Sequence, residues 1–213
     1  MRSEQLIKTL TNDLKPVKVR SRRWLFALFA LLFLGTAGAF SLVTGVRQNL
    51  ASEAARVPFL LLQIQVVLVA LGCAHLSARL AQPGRRPSRV ALVFPFALSG
   101  IILADLVAMR LARVNEANWG PSIAGGLECL LWTSGLGAGL ALAVLAIART
   151  QATTYRAALG AVAGAGGIAA GALAIDFACA NANPAHVGLW HVALPLVFIT
   201  SLTVVLAGKL LRW

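Results

Sequence analysis

An all-α fold is what this sequence predicts: a polytopic membrane protein built as a six-transmembrane-helix bundle with both termini cytoplasmic. Three observations carry that expectation. Of 213 residues, 59% are hydrophobic and only 12% are charged, with a mean hydropathy of +0.80, whereas soluble domains average about 25% charged residues. Six apolar runs recur, each long enough to cross a hydrocarbon core of about 30 Å: Trp24–Val46, Pro58–Leu80, Val90–Met109, Ser122–Ala148, Ala157–Ala178 and Val187–Ala207. Finally, Lys and Arg concentrate in alternate segments between those runs.

Residues 1–23 form a polar tail in which Leu6, Ile7, Leu10 and Leu14 fall on one apolar stripe of a short helix. Ser3 can cap its start with Glu4 in the first turn, and Lys15-Pro16 ends it. Such a helix can lie on the inner leaflet with its basic end on anionic lipids. It can equally fill a groove on a cytosolic partner, and the residues alone leave both open. Span one has no Ala-x-Ala-like site behind its long apolar run, which predicts a retained span and not a cleaved signal peptide.

Span two carries Cys73, expected to pack, and His75, expected to face the bundle interior or the headgroups. Span three is the weakest, because Pro95 and Asp105 interrupt it. Spans four and five form a hairpin closed by the short segment Arg149–Arg156. The pairs Gly135/Gly139, Gly160/Gly164 and Gly167/Gly171 predict close backbone approach within it. The transmembrane domain covers 24–208, and 209–213 form a short C-terminal tail.

Charge orients the bundle. Fifteen Lys and Arg lie in the tail, around Pro83 (Arg79, Arg85, Arg86, Arg89), at Arg149 and Arg156, and at Lys209 and Arg212, against four on the other face (Arg47, Arg56, Arg110, Arg113). Positive segments stay in the cytoplasm, so both termini are expected there. Topology thereby accounts for the net charge of +12. Lipids, and not nucleic acid directly, are the expected partners of this basicity.

In that topology the acids Glu53, Asp105, Glu116, Glu128 and Asp176 gather at the outer face. Cys129 precedes Arg149 by twenty residues and Cys179 follows Arg156 by twenty-three. These separations correspond to roughly 30 and 35 Å from the inner turn. The two thiols thus share one depth on adjacent helices in an oxidising compartment, where packing and thiol chemistry both remain open. His186 and His191 follow, and thiolate with imidazole is the ligand set that selects Cu(I) or Zn(II). No compact ligand motif accompanies them. His186 reads as a loop group or a ligand, and His191 as a helix hydrogen-bond partner or a ligand. Asp105, Glu128 and Asp176 can simply pair with Arg110 and Arg113. Trp119, Trp132 and Trp190 read as interface anchors.

The segments "MRSEQLIKTLTNDLKPV", "GLECLLW", "AGAGGIAAGALAIDFAC" and "LAGKLLRW", in this order and spacing, resemble the NrsF family of six-span bacterial anti-sigma factors. The resemblance covers essentially the whole chain. It implies a regulator, not an enzyme, in the bacterial inner membrane, whose N-terminal cytosolic segment holds an extracytoplasmic-function (ECF) sigma factor of the sigma-F type. It implies that Cys129 and Cys179 take part in sensing heavy-metal or oxidative stress. No obligatory cofactor follows, though Cu, Zn or another thiophilic metal can bind transiently at the outer cysteines, with His186 as a third ligand. Docking would use the stripe Leu6, Ile7, Leu10 and Leu14, assisted by the basic loop Arg79–Arg89. A small inner-membrane carrier for metal ions or reducing equivalents is the alternative, and it would need deep polar residues along a route.

Overall fold

A computed structural model describes residues 4–5, 19–84, 87–111, 123–181 and 183–211. Among them, six helices are long and apolar enough to cross a membrane, and the protein is a multi-pass membrane protein. The helices are α1 (Arg22–Thr44), a short α2 (Leu50–Ala54), α3 (Val57–Leu80), α4 (Arg89–Leu111), α5 (Ile123–Arg149), α6 (Arg156–Ala178), a turn α7 (Pro184–His186) and α8 (Leu194–Leu210). The tail stripe Leu6, Ile7, Leu10 and Leu14 lies outside the described residues.

Each outer helix buries a stripe and presents the rest to lipid. In α1 the buried positions are Leu25, Phe29, Phe33 and Ala37, four residues apart along one face. Ser21 caps this helix by accepting the Trp24 N–H at 3.3 Å. The α4 helix runs unbroken through Pro95, and the span whose apolar run is the weakest is helical throughout. Pro95 lies in the second turn, where its missing N–H takes the usual helical donor from the Ala91 carbonyl, and the Ser99 hydroxyl donates to the Pro95 carbonyl at 2.8 Å.

Helix α6 is the central rod, buried almost continuously from Leu159 to Asp176. Its glycines and alanines allow α1, α3, α5 and α8 to approach its backbone. A Cβ on Gly171 would stand 2.7 Å from the Thr133 carbonyl of α5, and one on Gly160 2.5 Å from the Thr203 carbonyl of α8. Gly167 meets the Gly137 carbonyl directly, and Gly166 faces Phe33 and Cys73. Cys73 is therefore a packing residue, fully buried. His75 is exposed on the bundle surface, edge-on to Phe26 at 5.9 Å between centroids.

The expected close approach at Gly135 and Gly139 is not seen, since a Cβ on either meets nothing within 4 Å. Gly137, one helical face away, makes the contact instead. The spacing of small residues identified the α6 side of the seam but chose the wrong register on α5.

One end of the bundle is tied by backbone and hydroxyl contacts. In the turn between α5 and α6, the Thr153 hydroxyl donates to the Leu80 carbonyl at 2.5 Å. The Gln151 carboxamide oxygen accepts the Arg20 N–H at 2.8 Å. The hairpin turn thus touches the root of the N-terminal segment.

The last span is irregular for an identifiable reason. Val187–Ala193 is π-helical, ending in a bond from the Leu194 N–H to the Leu189 carbonyl. Pro195 has no N–H, and in an α-helix its ring would collide with the carbonyl of residue i−4, His191. Widening the turn relieves that collision and leaves a π-bulge, a feature frequent at functional sites.

Candidate functional site

At the end opposite Gln151, α6 stops at Ala178 and the chain turns back. The Cys179 N–H closes the last turn onto the Ile175 carbonyl at 2.7 Å. Asn181 and Asn183 then build the return. The Asn181 side chain accepts the Asn183 N–H at 3.0 Å, and the Asn183 side chain caps α7 by accepting the Ala185 N–H at 2.9 Å. Arg47 pins this end of α6 from the α1–α2 connection. Its N–H donates to the Phe177 carbonyl at 2.9 Å and its guanidinium to the Cys179 carbonyl at 3.3 Å.

This return folds four candidate ligands together. The Cys129 thiol of α5 donates to the Cys179 sulfur at 3.5 Å, and His186 Nε2 stands 3.8 Å from the same sulfur. With His191, each residue offers one ligand atom, and all four atoms lie within 4.8 Å of one another. The two imidazoles pack edge to face, with centroids 5.3 Å apart. The sulfurs are unbonded, since a disulfide would bring them to about 2.05 Å. A cysteine–histidine cluster able to hold a metal ion is therefore present.

His191 is fixed from behind. Its Nδ1 pairs with Asp176 Oδ1 at 2.5 Å, and Asp176 Oδ2 accepts the Gln63 carboxamide N–H of α3 at 3.2 Å. Deeply buried groups normally find partners. Yet His191 Nε2 and His186 Nδ1 have none, on rings that are 0% and 1% exposed. The Cys129 hydrogen bond, with a further one from His186, holds the Cys179 thiol below its ordinary value despite the opposing effect of partial burial.

The predicted residues Cys129, Cys179 and His186 thus stand together, joined by His191. Among the described residues, Asp176 is held by His191 and Gln63, and the Asp105 carboxylate accepts from Gln65 at 2.8 Å. Arg113 and the Arg110 side chain lie outside the described residues, as does Trp119, and Glu128 is exposed. Trp132 is half-exposed. Trp190 is not an interface anchor: it is buried against Gly126, whose missing side chain makes room for the indole.

Reasoning from sequence missed Gln63 as a partner of Asp176 and Arg47 as the pin at Cys179. A polar residue inside a predicted span is a signal in itself, and Gln63 carried it. Arg47 carried only a topology count.

No curated protein and no solved structure matches the chain significantly. The family model described as NrsF, negative regulator of sigma F, matches residues 10–213, nearly the entire chain. A six-span bundle with this nearly complete match belongs to the NrsF family and is a negative regulator of a sigma factor.

Proposed function

We propose that this protein is an anti-sigma factor of the bacterial inner membrane that sequesters an ECF sigma factor at its cytoplasmic face. It releases that factor when Cys129 and Cys179 react at the periplasmic face. In this reading residues 1–23, with Leu6, Ile7, Leu10 and Leu14, dock the sigma factor, 24–208 form the sensor bundle and 209–213 end in the cytoplasm. The observation that carries it is the 3.5 Å approach of two thiols from adjacent spans, within a chain of a sigma-regulator family. The alternating basic segments support the orientation.

Two triggers act on one site. Hydrogen peroxide can join the sulfurs: the two thiols give up two protons and two electrons, the O–O bond breaks, and two waters leave. A thiophilic ion can instead bind the sulfurs. Either event resets the α5–α6 contact. The Gln151 turn at the far end of that hairpin meets Arg20, which supports a rigid-body route from the thiols to the root of the docking segment. The deep polar groups, Gln63 and Asp176, pair with each other and with His191. This favours a receiving site over the through-membrane route a carrier would need.

The test is co-purification from membranes with and without residues 1–20. The sigma factor should be retained by the full chain and lost on truncation. Unchanged partners together with metal uptake into vesicles would overturn the reading in favour of a carrier.

A further inference from the structure

We infer that Cys129, Cys179, His186 and His191 form a closed four-ligand site for a divalent tetrahedral d10 cation of the zinc type, with Asp176 and Gln63 as the supporting layer. The inference rests on the proposed sensing role of the same thiols and deepens it by naming the ligand class and the ligand set.

Geometry comes first. In a tetrahedral ion with metal–sulfur bonds of about 2.3 Å and metal–nitrogen bonds of about 2.0–2.1 Å, neighbouring donors stand about 3.3–3.8 Å apart. The two sulfurs stand at 3.5 Å, and Cys179 Sγ and His186 Nε2 at 3.8 Å. All four donors fit within 4.8 Å, so an ion can close on them through small displacements.

The second observation is the unpartnered nitrogen. With Nδ1 paired to Asp176, the His191 ring places Nε2 among the other three donors in a fully buried position, where a proton on Nδ1 leaves the Nε2 lone pair for an ion. A carboxylate behind a ligating imidazole is the usual device for fixing its tautomer and raising its basicity. Here Gln63 fixes the carboxylate in turn.

Charge selects the cation. In the bound state both cysteines are thiolates, Cys129 having released its proton to solvent, and the two negative charges neutralise a divalent ion while the imidazoles remain neutral. The Arg47 guanidinium, buried at the Cys179 carbonyl, offsets the Asp176 carboxylate. A monovalent soft ion leaves a net negative charge in a buried corner, which is costly. Two nitrogens and two sulfurs in a tetrahedral array suit the zinc type. With four protein ligands the site has no open position, as in structural zinc sites.

Occupancy joins α5 through Cys129, the end of α6 through Cys179 and the last span through both histidines, while Gln63 adds α3. It also excludes the disulfide, because both sulfurs are engaged. Metal and oxidant are therefore competing inputs to one site.

The reduced full chain in lipid nanodiscs, without sigma factor, is titrated with Co(II) as spectroscopic probe and then with Zn(II). One ion per chain is expected, with tetrahedral ligand-field bands and sulfur-to-cobalt charge transfer, displaced by Zn(II). Asp176→Asn should keep the spectrum and weaken binding about 10- to 100-fold. His191→Cys should keep tetrahedral binding and increase the charge transfer in the ratio of three sulfurs to two. An octahedral spectrum, or His191→Cys binding with unchanged charge transfer, overturns the assignment. Sigma-factor retention is measured separately on the same preparations, so loss of metal binding with retained partner rejects this inference alone.

Discussion

Replacing Gly171 by Ala tests whether the α5–α6 seam governs the thiol pair. The added methyl would stand 2.7 Å from the Thr133 carbonyl, where ordinary contact begins near 3.4 Å, so the backbones must part by about 0.7 Å. Thr133 lies four residues, about 6 Å, along α5 from Cys129, close enough for the displacement to reach the sulfurs. In the dithiol state the seam can open to relieve the overlap. In the disulfide state the bond holds the helices together and the overlap persists. Overpacking costs about 1–3 kcal/mol. The disulfide should therefore be disfavoured about five- to 140-fold, raising the potential of the couple by about 20 to 65 mV. The assay is a redox titration of the chain in nanodiscs, with free thiols read by alkylation and mass spectrometry. Gly139→Ala, whose Cβ meets nothing within 4 Å, should leave the potential unchanged. Equal potentials for Gly171→Ala and the parent protein would refute the coupling.

Three further outcomes are expected. Replacing Cys129 and Cys179 together by Ser should abolish induction of the sigma-dependent genes by oxidant while leaving sigma-factor retention intact; normal induction in a reporter strain would exclude the thiol mechanism. In the reduced chain, the lowered Cys179 thiol keeps its reactive thiolate as pH falls below the ordinary thiol value of about 8.5. Its alkylation rate, resolved by mass spectrometry, should thus decline only as pH passes the depressed value, and a decline at the ordinary value would contradict the hydrogen-bond geometry. Pro195→Ala removes the cause of the π-bulge, so the last span should revert to α geometry and rotate His191 out of the cluster. Co(II) affinity should fall at least tenfold, and an unchanged tetrahedral spectrum would show that the bulge does not position the ligand.

The spans were legible because bilayer thickness imposes a length and a composition that no internal packing detail can mask. Helix register was less so. Small residues four apart on α5 satisfied the same rule at Gly135 and Gly139 as on α6, yet only Gly137 touches Gly167. Spacing names a face, and the partner decides which face is used. The cluster was legible where it depended on depth, which placed Cys129 and Cys179 together. It was not legible where it depended on local geometry. At 3.6 residues per turn, His186 and His191 would point about 140° apart. A π turn bonds residues five apart and brings such a pair onto one face, consistent with the observed edge-to-face contact. The signal was Pro195, four residues beyond His191.

These features explain why a modest event at the thiols need not dissipate in a soft membrane interior. A core of long side chains absorbs displacement by changing rotamers. The α5–α6 seam has no such freedom, because at Gly137/Gly167 and Gly171/Thr133 backbone meets backbone. Along its other side α6 meets α8 in the same way at Gly160, where the Thr203 hydroxyl bridges the Gly160 and Ile199 carbonyls at 2.8 Å each. A shift of Cys129 relative to Cys179 must then appear as movement of whole helices. The hairpin turn that joins them is the segment whose Gln151 holds the backbone of Arg20. Enlarging the space between these backbones should consequently alter both the thiol equilibrium and its transmission, whereas damage at Gln151 should leave thiol chemistry intact and silence its consequence.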